Sequence, residues 1–420
     1  MKSLLLNTSD IWGGAARAAY RIHNALRYIG VDSKMCVNHM TAGDWTVEGP
    51  QSKLAKLAVR IRPQVGSLLT KTLKTDNSII HSPSVIPSNW SKYLNTSDAD
   101  VVHLHWVNRE MLSIADIGRI HKPVVWTLHD MWVFCGAEHY TEDFRWRDGY
   151  TRDNRPSYES GFDLNRWTWK RKRKHWKYPM HIVTPSRWLA DCVRESALMG
   201  DWPVQVVHNA IDTDTWQPVD KGLARQILHF PPDVPLLLFG AIGGTCDPRK
   251  GFDLLRNALQ HLDGQLPGLE LVILGQLAPR QSENLGFPVH YTGYMHDDVS
   301  LRLLYSAVDA LVIPSRQENL PNAGVEALSC GTPVVAFDTC GLPDIVKHKQ
   351  TGYLAKAFDI IDLAIGIRWV LQAQVENEEP GKLTWLGKNS RHDAVTRFSN
   401  SVVAEQYLQV YRMAGRAFKG

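Results

Sequence analysis

Two glutamates eight positions apart, Glu318 and Glu326, are the side chains best placed to do chemistry in this chain of 420 residues. They lie in ALVIPSRQENLPNAGVEALSCGTPVVAFD, which runs from Ala310 to Asp338. The apolar run from Ala310 to Pro314 reads as a buried strand. Gly331 and Pro333 close a short helix ahead of a second strand from Val334 to Phe337. Glu318 then falls in the loop after the first strand and Glu326 on the early helix. In open parallel sheets, ligands bind at that edge. Asn319, Pro321 and Asn322 suit a capped helix start whose free N–H groups point outward, towards an anion. Carboxylates that accept from hydroxyls, beside amides that donate to phosphate, suit a ligand carrying both, such as a nucleotide sugar.

A second cluster follows another strand: Gly243, Gly244, Thr245, Cys246, Asp247, Pro248, Arg249, Lys250 and Gly251. Its glycines let backbone approach a ligand closely. Arg249 can fork onto phosphate oxygens, and Lys250 adds a mobile point charge. The G-x-x-x-x-G-K-[ST] pattern of a Walker loop is absent. In VVWTLHDMW, His129 and Asp130 stand at the carboxyl end of a strand, where Asp130 either caps the next helix or orients His129. Gly13 and Gly14 form a tight turn ahead of the first helix, with Arg17 on its first turn, and would let ligands reach backbone amides. Alternation places His103 and His105 on one side of their strand, in packing or supporting roles. The segment from Asn165 to Pro179, NRWTWKRKRKHWKYP, interleaves tryptophans with basic residues. Trp169 and Trp176 share a helix face, so this segment suits an anionic membrane surface or a pyrophosphate-bearing acceptor, or else a solvated helix whose tryptophans pack inward.

These residues need a scaffold of alternating strands and helices. Strand candidates include the stretches from Ser3 to Leu6, Lys34 to Val37, Val101 to His105, Val124 to Leu128 and His181 to Thr184. A second series begins at Leu236. Strands alternating with helices in both halves imply two parallel-sheet domains, with boundaries expected at 1–212 and 213–401. The Lys- and Leu-rich stretch from Lys53 to Lys74 is a weak helix candidate. Apolar content of 44% supports substantial cores, and a net charge of +4 gives no reason to expect a nucleic-acid partner. The six cysteines lie far apart without a C-x-x-C pair, which fits a reducing cytoplasm and offers no metal signature. No secretory leader is expected, because the apolar start runs straight into Asn7, Thr8 and Asp10. No apolar run is long enough to span a bilayer.

The E-x7-E spacing, set within QENLPN and EALSCGTPVVAFDTCGLPDIV, resembles the retaining glycosyltransferases of family four, the group 1 glycosyltransferases that build bacterial polysaccharides and glycolipids. The resemblance extends to the first glycine turn, HDMW, PSRWL, VVHNAIDTDTW, DPRKGF and the last helix. It implies an α/β fold of two Rossmann-like parallel-sheet domains facing each other across a cleft, the GT-B arrangement, with a helix at about 402–420 crossing back to the first domain. It implies transfer of a hexosyl group, with retention, from a nucleotide-diphosphate sugar to a saccharide or lipid-linked oligosaccharide acceptor, without a metal or other cofactor. Arg249 and Lys250 would hold the diphosphate, Glu326 the ribose hydroxyls, and Glu318 the donor sugar with the amides of Asn319 and Leu320. His129 would face the sugar and acceptor. Gly293 and Tyr294 of YTGYM would bound the base pocket. The expected setting is the cytoplasm, with peripheral contact at the inner face of the cytoplasmic membrane left open. A nucleotide-sugar epimerase of the same architecture, and a non-catalytic nucleotide-sugar-binding relative, stay open as alternatives.

Overall fold

Strand formation follows the β-branched and leucine-rich runs; central ones such as Val101–Leu104, Val124–Thr127, Ala310–Ile313 and Val334–Phe337 are buried on both faces, as a parallel sheet covered by helices requires. The computed structural model describes residues 1–240, 247–279, 284–375 and 383–419. The chain divides into two compact units, Met1–Ala210 with Asn400–Gly420, and Ile211–Ser399.

The first unit holds β1 (Lys2–Ser9), β2 (Asp32–His39), β3 (Val47–Glu48), β4 (Leu73–Thr75), β5 (Val101–Leu104), β6 (Val124–Thr127), β7 (Glu159–Gly161), β8 (His181–Thr184) and β9 (Val204–Val206). Seven of them form one sheet in the order β3-β2-β1-β5-β6-β8-β9, while β4 and β7 pair separately and antiparallel. The sheet's pairings are parallel. The helix Gly14–Tyr28 packs Ala19, Ile22 and Leu26 onto Leu5 and Val37, together with Tyr407 and Tyr411 of the last helix, Asn400–Lys419. Aromatic packing fills the other face of the sheet, where Trp126, Trp132 and Trp176 meet edge to face or tilted.

The second unit holds β10 (Leu236–Gly240), β11 (Glu270–Leu274), β12 (Val289–Gly293), β13 (Ala310–Ile313), β14 (Val334–Phe337) and β15 (Gly352–Ala355), in the order β12-β11-β10-β13-β14-β15. These pairs too are parallel. Each sheet therefore reverses its strand order once, between β1 and β5 and between β10 and β13. Chains leaving neighbouring strands at such a reversal turn to opposite faces and leave a crevice at the carboxyl ends.

The stretch from Lys53 to Lys74 contains a full helix, Lys53–Thr70, started by Ser52, whose side chain accepts from Ala55 N at 3.1 Å. Pro63 inside it had weakened the sequence signal.

Candidate functional site

In the second unit, the reversal brings together two loops far apart in sequence. The loop leading on from β10 ends in the short 3-10 turn Pro248–Lys250. Asp247 builds it: one carboxylate oxygen accepts from Arg249 N at 3.0 Å, and the other pairs with the Arg249 guanidinium at 2.8 Å. Gly251 ends the turn at φ 67°, so close to the chain leaving β13 that a Cβ would lie 1.9 Å from the Pro314 carbonyl oxygen. Arg316 braces the same turn. Its N–H donates to Arg249 O at 2.7 Å, Nη1 donates to Pro248 O at 2.8 Å, and its fork grips Asp253 at 2.8 and 2.6 Å. The result is an ion pair between Lys250 Nζ and Glu318 Oε1, both largely shielded. Lys250, expected as a mobile charge, is thus held by the carboxylate expected to grip a sugar. Nothing in the sequence singled out Arg316; its position three residues beyond the end of β13 was the available signal.

Asn319 and Leu320 are buried on the approach to the helix Asn322–Ser329. Pro321 occupies the N-cap position and makes no side-chain cap hydrogen bond. Proline at that place pre-sets φ without supplying an acceptor. Glu326, on the second turn, is only 4% exposed and accepts a hydrogen bond from the Tyr305 hydroxyl at 3.0 Å. Gly293 ends β12 at φ 68° and exchanges backbone hydrogen bonds with Gly275 and Gln276 at 2.8 and 3.1 Å, tying the ends of β11 and β12. Tyr294 is exposed and lies parallel to the His296 ring, 6.2 Å away. Gly243 and Gly244 lie outside the described residues.

In the first unit, the crevice lies after β1 and β5. Thr8 donates its N–H and its hydroxyl to Trp106 O at 2.9 and 2.8 Å, and Asn7 Oδ1 accepts from Trp106 N at 2.8 Å. Gly13, at φ 94°, is the uncapped N-terminal residue of the helix starting at Gly14. Arg109 has left-handed backbone and lays its guanidinium over Trp12 and Trp106, 5.9 Å from each ring. Sequence reasoning missed Arg109.

His129 follows β6, with Nε2 at 3.0 Å from His105 Nδ1 and the two rings stacked. His105 Nε2 is buried and has no hydrogen-bond partner among the described residues. A proton there would be an orphaned donor, costing about 1–3 kcal/mol. The geometry therefore puts the His105 proton on Nδ1, where it donates to His129, and leaves the His129 proton on Nδ1. Burial pushes His129 down to about 4, so the ring is neutral at pH 7. The His103 ring lies 4.1 Å from that of His105 and tilted to it, on the same side of the strand as alternation implied, and is satisfied by Tyr411 OH at 2.7 Å and Thr127 Oγ1 at 2.8 Å.

Two readings of this region need correction. Asp130 neither caps a helix nor hydrogen-bonds His129; it accepts from Trp106 Nε1 at 2.9 Å and Trp132 N at 3.0 Å and pairs with His139 Nδ1 at 2.5 Å. The partner lies nine positions on, and only the turn after β6 brings it back. The tryptophans of the segment from Asn165 to Pro179 are not free for a membrane either. Trp169 and Trp176 are 5% and 4% exposed, packed in the core. Lys172, between them, is fully buried, donates to the carbonyls of Trp132, Cys135 (3.0 Å) and Gly136 (2.7 Å), and sits 3.9 Å over the Trp132 ring. This ammonium lashes down the turn that follows His129 and Asp130. Among the described residues, no three His, Cys, Asp or Glu side chains gather closely enough to hold a metal ion.

Two parallel α/β units, each with a ligand crevice at its strand reversal, define the GT-B fold. The glycosyltransferase family 4 model matches residues 12–215 and the glycosyl transferases group 1 model matches residues 224–392. The chain belongs to this glycosyltransferase family. It is 30% identical over 223 residues to D-inositol 3-phosphate glycosyltransferase 2 of Catenulispora acidiphila, covering 50% of each chain. It is also 30% identical over 223 residues to the D-inositol 3-phosphate glycosyltransferase of Segniliparus rotundus, covering 51% of this chain and 47% of the relative. The chain thus spans about half the length of the curated relatives it matches. Among solved structures, sucrose-phosphate synthase from Thermosynechococcus elongatus superposes with a TM-score of 0.64 at 18% identity, covering 99% of each chain. Anabaena HepE in complex with UDP-glucose superposes with a TM-score of 0.63 at 17% identity, covering 98% of this chain and 100% of that one. At such identities the likeness speaks for the fold.

Proposed function

We propose that this chain is a retaining hexosyltransferase that moves a sugar from a nucleotide-diphosphate sugar to a saccharide or lipid-linked acceptor, in surface polysaccharide or glycolipid synthesis in the cytoplasm. The observation that carries the reading is the braced turn that sets Lys250 against Glu318 at the strand reversal, with Arg249 held next to it by Asp247. An arriving diphosphate competes with Glu318 for Lys250. As the ammonium turns to the phosphate, the carboxylate is released to accept from the sugar's hydroxyls. Arg249 shares the phosphate charge, which grows as the glycosidic bond breaks. The amides of Asn319 and Leu320, on the approach to a helix N-terminus, reinforce it. Glu326, shared with Tyr305, serves the ribose hydroxyls, and the strand end at Gly293 and Tyr294 bounds the base. Metal is not required, because two cations already face the leaving group.

On the acceptor side, a neutral His129 with its proton on Nδ1 donates to a sugar hydroxyl rather than delivering charge. Gly13 and Gly14 form the start of the first helix at this crevice. Departing phosphate then takes the acceptor's proton on the same face, which gives retention. UDP-glucose bound to HepE supports a UDP-sugar as a first donor to try, and the inositol 3-phosphate relatives support a phosphorylated polyol as a first acceptor. No helix among the described residues is long and apolar enough to cross a membrane.

The test is a thermal-shift panel of UDP-, GDP- and ADP-sugars, followed by NMR of the product's anomeric centre. One donor class should raise the melting midpoint, and Glu326→Ala should abolish that rise. A β-linked product from an α-linked donor would overturn retention. A new epimer from donor alone would make the chain an epimerase.

A further inference from the structure

The helix Gly14–Tyr28 turns its apolar side onto a sheet; the helix Lys53–Thr70 does the reverse. Of its residues only Gly66 is buried. Its inner side is fastened largely by polar contacts. Arg62 donates to the carbonyls of Glu110 (2.8 Å), Pro87 (2.6 Å) and Ile86 (2.6 Å), and Gly66 lies flat against the Glu110 side chain. Its outer side is apolar. Leu54, Leu57, Ile61, Val65 and Leu68 are 79%, 52%, 46%, 43% and 60% exposed. Their spacing of three, four, four and three residues draws one stripe along the helix. Such a stripe left in water is a contact surface.

Charge selects the partner. Lys53, Lys56 and Arg60 are exposed on the same helix, and exposed Lys71 and Lys74 follow it. The helix carries no aspartate or glutamate. An apolar stripe edged by cations, with no acidic side chain, matches a bilayer whose headgroups are anionic. We propose that the helix Lys53–Thr70 docks this unit onto an anionic membrane surface, lying in the interface with its leucines among the acyl chains. The membrane contact thereby moves from the segment between Asn165 and Pro179, whose Trp169 and Trp176 are buried, to a helix that the sequence offered only as a weak candidate. The proposal stands apart from the donor site, since docking needs no nucleotide sugar.

The experiment is flotation of the full chain with vesicles of phosphatidylcholine, with and without phosphatidylglycerol. The wild type should float with the anionic vesicles and be released by salt. Leu57→Ser with Ile61→Ser and Val65→Ser should cut partitioning roughly tenfold or more while leaving the melting midpoint unchanged or raised, because these side chains support no core. Lys53→Glu with Lys56→Glu and Arg60→Glu should do the same by charge. The proposal is overturned if the wild type ignores anionic vesicles at low salt, binds neutral ones equally, or keeps its binding in the serine variant. It is equally overturned if the stripe pairs two copies, seen as a dimer that the serine variant disperses and that vesicles leave intact.

Discussion

Gly251→Ala isolates the geometry on which the donor turn depends. The added Cβ would stand 1.9 Å from Pro314 O, whereas ordinary contact begins near 3.4 Å. Backbone on both sides leaves no flexible group to yield, so the Pro248–Lys250 turn must retreat from the β13 exit by about 1.5 Å, the shortfall between those distances. A displacement of about 1 Å at a reacting centre can cost about 100-fold in rate. The left-handed backbone adds about 1–2 kcal/mol of strain of its own. Gly264 supplies the control. It has nearly the same φ, 70°, but a Cβ there meets nothing within 4 Å. Gly264→Ala should therefore lose only the strain and keep donor affinity. Gly251→Ala should lose more stability than that and at least about 100-fold in transfer rate. Urea midpoints, donor titration calorimetry and initial rates read all three. If Gly251→Ala binds and transfers like the control, the packing of this turn does not set the donor site.

Two further outcomes follow from the same structure. Lys250→Ala should slow transfer by about 3 kcal/mol, a factor of about 100, and Lys250→Arg should recover only part because a guanidinium is not a point charge; wild-type rates in Lys250→Ala would remove the residue from the site. Acid stability should fall through buried histidines. Burial holds His23 down to about 4 and His103 to about 3, against 6.5 in the unfolded chain. Between those values the unfolded state binds more protons, so their contribution is fully present above pH 6.5 and is lost as pH falls towards the folded values. Each contributes a loss of about 2 kcal/mol by about pH 5. A denaturation midpoint unchanged between neutrality and that pH would refute it.

Much of the architecture was legible because parallel strands buried on both faces leave near-continuous apolar runs, such as VVWT and ALVI. The helix Lys53–Thr70 was not, because its apolar face meets no core and Pro63 interrupts its propensity. The role of Lys172 was not legible for a related reason. In sequence it is one of several cations between tryptophans, and only the turn of carbonyls from Trp132 to Gly136 shows that this one is buried. The Asp130–His139 pair was equally hidden, since spacing along a loop carries no periodicity.

What the sequence determined alone was the inventory: which acids, cations and glycines stand at strand ends, and hence the family's glutamate spacing and basic turn. The tertiary structure decided which of them meet. Strand order placed β10 beside β13, and so Lys250 against Glu318, 68 residues apart. It decided that Asp130 serves His139, and that the exposed greasy surface lies on the helix after Ser52. Local patterns report how a residue sits on its own element. Partners across a sheet reversal depend on chain topology, which no short stretch of residues encodes.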